Sequence, residues 1–470
     1  MASAATTAPA GPTTTAEPPA VLPDGPKTPA VLPEGPKTPA VLQTLLWALA
    51  MPWALDRWAA RYGETFTVTF APSGRRFVVV SDPEAVKTVF TAPPDVAPSA
   101  AGLSPIAPIM GPSSVITLTG PAHLRQRRLL LPPFHGERMR EYEGTIVDAT
   151  RRDMTDWRLG EPMRLLERTR TITLEVILRA VFGVEAERMD RLRDAIGGLL
   201  EPLKIGTLLM VALRRPSLER PTGKLGRALD HLDVVIYEEL ARRRAQSDLA
   251  QRTDILSLLL LAREEDGGQM TDAELRDELV TLLLAGHETT ATAVAWAIER
   301  LVHHPDKLDR LLAEIDEGGS EEYLQAVVNE TLRVRPVVPM VVRVLQEPLQ
   351  VGEHLLPRGL RVAPSIYLTN RNPRVYDAPR EFRPERFLGA QPETFSWIPF
   401  GGGIRRCIGA SFAMLEMKLM LRTMLSELQP STPQGLTSRV MRRGEWNMRR
   451  AITLVPSAGA RVVWSARRAS

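Results

Sequence analysis

With 470 residues, 44% of them hydrophobic and 24% charged, the chain has room for one large domain or two to three average ones, and its composition is that of an ordinary soluble globular protein. The net charge is only +4, and no dense basic run or interleaved aromatic stripe occurs, which argues against nucleic-acid binding. A single cysteine excludes an internal disulfide and fits a reducing compartment.

Residues 1–43 read as a tail ahead of one domain over 44–470. Ten of the 40 prolines fall in this tail. Pro19-Ala20-Val21-Leu22-Pro23-Asp24-Gly25-Pro26-Lys27-Thr28 repeats as Pro29 to Thr38, with Glu34 replacing Asp24. Two copies this rich in proline predict extended chain, not a solenoid. Met1-Ala2-Ser3-Ala4 lacks the basic and apolar regions of a signal peptide. Leu45 to Leu55 is apolar but interrupted by Pro52, and spanning a bilayer takes roughly 20 apolar residues. No transmembrane segment is expected.

A helix near Trp53 to Tyr62 should lead to strands at Thr65–Phe70 and Arg76–Ser81. Asp82-Pro83-Glu84 combines a cap, an N1 proline and an early acid, so a helix starts there. Pro93 to Thr119 reads as a long loop, and loops of that length are often functional. Its apolar residues Leu103, Ile106, Ile109 and Met110 need a partner surface. Gly120-Pro121 begins a helix that Pro132-Pro133 ends. On it His123 and Arg127 share one face, either as a solvated basic face or as an anion-binding pair.

Helical segments follow to Ala262. Thr271-Asp272-Ala273-Glu274 is a capping box that opens a helix running to His303-His304-Pro305, roughly 45–50 Å long. Midway, Ala285-Gly286-His287-Glu288-Thr289-Thr290 interrupts an apolar run. Structurally, Gly286 weakens the helix by about 1 kcal/mol and threonine can bond back to the preceding turn. Functionally, the small pair lets a flat ligand and a diatomic approach, while Glu288 and Thr289 can relay protons. Further on, Glu330 and Arg333 stand at i,i+3 on one helical face. Val351 to Val362 reads as a hairpin about Pro357-Arg358-Gly359, and Ala451–Val455 with Ala460–Trp464 as a second.

The stretch Phe400-Gly401-Gly402-Gly403-Ile404-Arg405-Arg406-Cys407-Ile408-Gly409 holds the lone cysteine. Its glycines permit a tight turn and a close approach. Cys407 opens an apolar run that reads as a buried helix, whose N–H groups favour a thiolate and moderate its donation to a metal. Arg405 is placed to pair with an anionic group of whatever the sulfur binds.

This stretch resembles the haem-binding signature of the cytochrome P450 family, Phe-x-x-Gly-x-Arg-x-Cys-x-Gly, at every fixed position. Ala285 to Thr290 is similar to the family's oxygen-binding motif. Glu330-Thr331-Leu332-Arg333, followed by Arg386, is similar to its buried triad. The resemblance implies a mainly α fold with a small β region, its long central helix lying over a haem b. It implies Cys407 as the iron ligand, with Phe400, Gly401, Gly409, Ala285 and Gly286 around the cofactor. His123, Arg127, Arg343 and Arg405 become propionate partners, and Glu288 and Thr289 the catalytic pair.

Substrate contacts are expected from Leu103, Ile106, Ile109, Met110, Val338, Met340, Ile452 and the apolar segment Ile205 to Leu213. The implied reaction is a monooxygenation using dioxygen, with an apolar substrate such as a fatty acid or terpenoid. Electrons would come from NAD(P)H through a separate ferredoxin with its reductase, or a flavodoxin, docking where Arg406 and Lys418 lie. A bacterial, cytoplasmic protein is expected. A peroxide-driven or isomerising relative and a haem gas sensor stay open as alternatives.

Overall fold

The structure, a computed structural model, describes residues 31–467 apart from 105, 137, 184–185, 201–219, 265–266 and 434–443. Helices α1 (Ala40–Leu49) and α2 (Met51–Tyr62) precede strands β1 (Thr65–Phe70) and β2 (Arg75–Val80). Asp82 caps α3 (Pro83–Thr91), its carboxylate accepting from the Ala85 N–H at 2.8 Å. Then come the short α4 (Ala107–Met110), α5 (Gly120–Leu130), α6 (Arg138–Met154), β3 (Pro162–Arg164), α7 (Leu165–Phe182) and α8 (Ala186–Leu200). Helices α9 (Gly223–Arg244) and α10 (Ile255–Leu261) lead to α11 (Asp272–Val302), at 31 residues the longest. Its capping box forms as expected, Thr271 and Glu274 each satisfying the other's backbone N–H.

After α12 (Pro305–Glu317) and α13 (Glu322–Val334) the chain enters a strand-rich stretch: β4 (Arg343–Val344), β5 (Leu349–Val351), β6 (His354–Leu356), β7 (Arg361–Pro364) and the short α14 (Ile366–Thr369). Helix α15 (Ala410–Glu427) follows, then β8 (Leu428–Ser431), β9 (Asn447–Arg450), β10 (Thr453–Pro456) and β11 (Arg461–Ala466). The fold is mainly α with small β sheets, as expected.

Both expected hairpins are paired differently. Strand β7 lies between β2, to which it is parallel, and β4, completing a sheet of order β1-β2-β7-β4. The hairpin is instead β5 with β6, turning at Gly352-Glu353. At the end of the chain β10 pairs with β9, while β11 sits between β3 and β8.

Helix α11 runs through the main core. Twenty-two of its residues are buried, and it packs closely against α7 and also against α13 and α15. Its buried acids bolt down the end of the 93–119 loop. The Ser113 N–H donates to Asp277 at 2.8 Å and the Val115 N–H to Glu278 at 2.7 Å, while the Ser114 and Thr281 hydroxyls lie 2.6 Å apart. Burial pushes the Glu278 carboxyl up to about 9, so it stays protonated at neutral pH.

The packed domain begins earlier than the expected boundary at 43–44. Within the second decapeptide copy Pro33 is buried, and the carbonyls of Pro33 and Glu34 accept from Thr67 at 2.7 and 3.1 Å. A β-carbon on Gly35 would meet the Thr67 carbonyl oxygen at 1.9 Å, so only glycine fits against β1 there. The Gln43 amide closes the segment by donating to the carbonyls of Pro36 and Thr38. A chain starting at Val41 would lose these four bonds, roughly 2–4 kcal/mol at about 1 kcal/mol each. We expect a lowered urea midpoint for it and an unchanged midpoint for a chain starting at Val31. Equal midpoints for the two would show that the docked segment contributes nothing.

Candidate functional site

The cysteine loop is shaped by its glycines. Gly401 and Gly403 adopt φ of 68° and 64°, and a β-carbon on Gly402 would strike the Phe90 ring at 2.4 Å. The loop closes on itself through the Cys407 N–H to the Phe400 carbonyl at 3.0 Å. Helix α15 opens only at Ala410, so Cys407 precedes the helix and does not start it. The Gly409 N–H still donates to its sulfur. Burial pushes the thiol up, opposed by that N–H and by Arg127 and Arg406. Although protein surrounds it, Cys407 keeps an accessible surface. It therefore faces a space inside the molecule and is not sealed into the core.

Two residues before it, Arg405 donates to the carbonyls of Val115 at 3.0 Å and of Leu118. It stands in a cluster with His123 and Arg127 of α5 and Arg343 of β4, whose charges act on one another. Burial, then this mutual repulsion, holds the Arg405 guanidinium down at about 10, and burial alone does the same to Arg343. Arg343 meets the Phe90 ring at 5.8 Å and, among the described residues, its side chain donates to its neighbour's carbonyl alone. Burial, then Arg405, Arg127 and Arg343, lower His123 to about 4, so its ring is neutral at ordinary pH. Among the described residues no carboxylate bonds to any of these four. Three guanidiniums converging without a counter-charge suit a ligand with carboxylates of its own.

The loop is braced from behind. Glu330 and Arg333 of α13, both fully buried, form a bidentate pair at 2.6 and 2.8 Å, and Arg386 joins Glu330 at 3.2 Å. Arg333 also donates to the Asn370 carbonyl at 3.0 Å. The Asn370 side chain in turn accepts from the Ile398 N–H, two residues before Phe400. The expected triad is thus present and tied to the cysteine loop.

On α11, Ala285 is exposed and Gly286, Glu288 and Thr289 are half-buried within an otherwise mostly buried stretch. Ala285 supplies the opening. The direction a β-carbon would take on Gly286 is filled by Ile177 of α7 at 3.0 Å, so its small size serves close helix packing more than ligand approach. Thr289 donates back to the Ala285 carbonyl at 2.7 Å. Glu288 is held by Arg170 of α7 through two bonds of 2.8 and 2.6 Å, a partner that sequence reasoning missed. Arg450 also lies within electrostatic reach of Glu288. Behind Thr290, Glu416 of α15 is buried, bonded to that hydroxyl and pushed up to about 8 by desolvation.

The expected substrate residues divide. Ile109 and Met110 are 1% and 3% exposed, Ile109 inside the main core, so neither offers surface to a ligand. Val338 and Met340 are half-buried, Ile106 likewise, and Ile452 is 43% exposed in the β9–β10 turn. Leu103 closes a short 3-10 turn. The segment Ile205 to Leu213 lies outside the described residues. Lys418 is not free for a partner, since it pairs with Glu321 at 2.8 Å, whereas Arg406 is exposed.

An accessible sulfur beside an uncompensated cationic cluster could hold a large anionic cofactor with one thiolate ligand. The cytochrome P450 family pattern matches residues 33–445, and the chain belongs to that family, whose members are generally haem-thiolate monooxygenases. It is 43% identical over 405 residues to cytochrome P450 137 of Mycobacterium tuberculosis, covering 86% of this chain and 83% of that protein. It is 40% identical over 410 residues to cytochrome P450 135B1 of Mycobacterium bovis, covering 86% and 84%. Among solved structures it is similar in fold to a retinoic-acid-bound cyanobacterial CYP120A1, with a TM-score of 0.77 and 24% identity, covering 93% of this chain and all of that one. A cytochrome P450DA haem domain gives a TM-score of 0.79 at 21% identity, covering 93% and 98%. Family membership implies a haem cofactor.

Proposed function

We propose that the chain is a monooxygenase that inserts one atom of dioxygen into an apolar molecule of fatty-acid or terpenoid type. Cys407 would hold the haem iron, and a thiolate-bound haem would supply the oxygen-activating chemistry. The chain's own residues do the rest. Arg127, Arg343 and Arg405, with neutral His123 as a hydrogen-bonding group, would hold the haem propionates. Gly409 tempers the sulfur's charge through its N–H.

The observation that carries the reading is the opening at Ala285 with the Thr289 hydroxyl one turn along and Glu288 behind it. A hydroxyl bonded to the Ala285 carbonyl can rotate to accept or donate a proton on the open side. Its supply would come from Glu288 once one of the two Arg170 bonds lets go. A sensor has no use for such a relay. Val338, Met340 and Ile452 form the apolar walls of the substrate space, consistent with the retinoic acid held by the cyanobacterial relative. Electrons arrive from NAD(P)H by way of a separate ferredoxin or flavodoxin that meets the face of Arg406 and the exposed Arg128.

Thr289→Ala tests the relay. We expect unchanged haem content and substrate-induced spin shift. With a ferredoxin, its reductase and NAD(P)H, product per electron should fall about tenfold or more, with peroxide released in its place. Undiminished coupling would remove Thr289 from the mechanism. Wild-type turnover with peroxide but none with the ferredoxin system would establish the peroxide-driven alternative.

A further inference from the structure

Helix α1 is apolar on its outward side as well as its inward one. Its ten residues, Ala40-Val41-Leu42-Gln43-Thr44-Leu45-Leu46-Trp47-Ala48-Leu49, carry no charge. The side facing the protein is partly polar. Gln43 is 3% exposed and its amide bonds to the carbonyls of Pro36 and Thr38 and to the Thr69 N–H, while Thr44 accepts from the Ala71 N–H. The outward side is apolar. Val41, Leu42, Leu45 and Leu49 are 59%, 43%, 50% and 76% exposed. At 100° per residue these four fall within an arc of about 100° on one side of the helix. Leu46 and Trp47 pack inward beside Gln43, so the helix is apolar on both sides, and several large exposed aliphatic side chains in one stripe mark a contact surface.

What surrounds the stripe selects the partner. Trp53 of α2 is 55% exposed, with the Arg57 guanidinium 5.7 Å from its ring centre. Lys37, Arg57 and Arg61 are exposed. So are Arg75 and Arg76, which open β2 just after the β1–β2 turn that the Ala71–Thr44 bond fastens to α1. Against these five cations stand Glu34 and Asp56, and Asp56 is taken up by Arg380 and the Tyr367 hydroxyl. An aliphatic stripe flanked by an exposed tryptophan and an excess of cations matches the boundary layer of an anionic bilayer.

We propose that the α1 stripe and the basic residues beside it seat the protein on the surface of an anionic lipid bilayer, lying on it without crossing. The position has a use under the proposed function. Arg449 of β9 donates to the Trp47 carbonyl at 2.9 Å, so the C-terminal end of α1 abuts the hairpin whose turn carries Ile452. An apolar substrate dissolved in lipid would be delivered beside that hairpin. The docking itself rests on the α1 stripe and the residues beside it and does not depend on which reaction the site performs.

The test floats the haem-loaded full chain with vesicles of phosphatidylcholine alone and of an equal mixture with phosphatidylglycerol. The Leu45→Glu/Leu49→Glu double variant is run beside it. Both side chains are exposed, so the variant should keep its haem content and CO spectrum, which report the reaction site separately from lipid binding. We expect the parent to float with the mixed vesicles, and the variant's binding to fall by roughly tenfold or more. A parent that stays in solution with both vesicles overturns the proposal, as does equal binding by parent and variant. A lipid-free parent that self-associates, while the double variant is monomeric and neither floats, would make the stripe an interface between copies and also overturns it.

Discussion

Cys407→His is expected to abolish the strongly red-shifted Soret band that the reduced, CO-bound protein should show, leaving a band at the position of histidine ligation. The argument rests on uniqueness and on support. No other cysteine exists in the chain, so no second thiol can take over. The sulfur is accessible, receives the Gly409 N–H and lies within electrostatic reach of Arg127 and Arg406. Imidazole lacks the thiolate's charge, so the donation that assists O–O cleavage goes with it. Altering an outer partner of a metal ligand already costs about 10–100-fold, so losing the ligand should cost turnover at least a hundredfold or so. A CO spectrum identical to the parent's would refute Cys407 as the ligand.

Glu330→Ala should be strongly destabilising. Arg333 is fully buried, and removing Glu330 leaves its guanidinium with backbone carbonyls but no anion. Arg386 and the Arg383 N–H lose the same carboxylate. Breaking a buried pair this way typically costs about 3–5 kcal/mol, a large share of the stability of an ordinary domain. Because the Arg333–Asn370–Ile398 chain reaches the cysteine loop, we expect mostly insoluble or haem-free protein. Urea unfolding of any soluble fraction measures the loss. A midpoint and haem content equal to the parent's would show that the triad bears no load.

What could be read from the sequence was what is encoded over short spacings. The cysteine loop, the Ala285–Thr290 interruption and Glu330–Arg333 each occupy about ten residues or fewer, and their chemistry is fixed by local order. The capping boundaries of α3 and α11 were legible for the same reason. Contacts that join distant parts left no local signal. Arg170 lies 118 residues from the Glu288 it holds, and Glu416 is an ordinary acid in a helix until its neighbours are known. Strand pairing failed likewise: a turn at Pro357-Arg358-Gly359 suggests a hairpin, but β7 finds its partners in β2 and β4. Ile109 and Met110 were drawn to the substrate space because a loop rich in proline looks open. The acids of α11 fold the end of that loop into the core. Composition misled at the N-terminus too, where a proline-rich decapeptide uses its carbonyls, which proline keeps, to bond Thr67.

The convergence of Arg127, Arg343 and Arg405 also bears on how much of this protein a cell can hold. Like charges brought together without a counter-ion oppose folding, and a ligand that binds only the folded chain adds stability as RT ln(1 + [L]/Kd). If these residues hold the haem's two carboxylates, the polypeptide's lifetime would be tied to the supply of that cofactor. Abundance would follow haem availability even with synthesis held constant, because chains that have not loaded spend more time open to proteases.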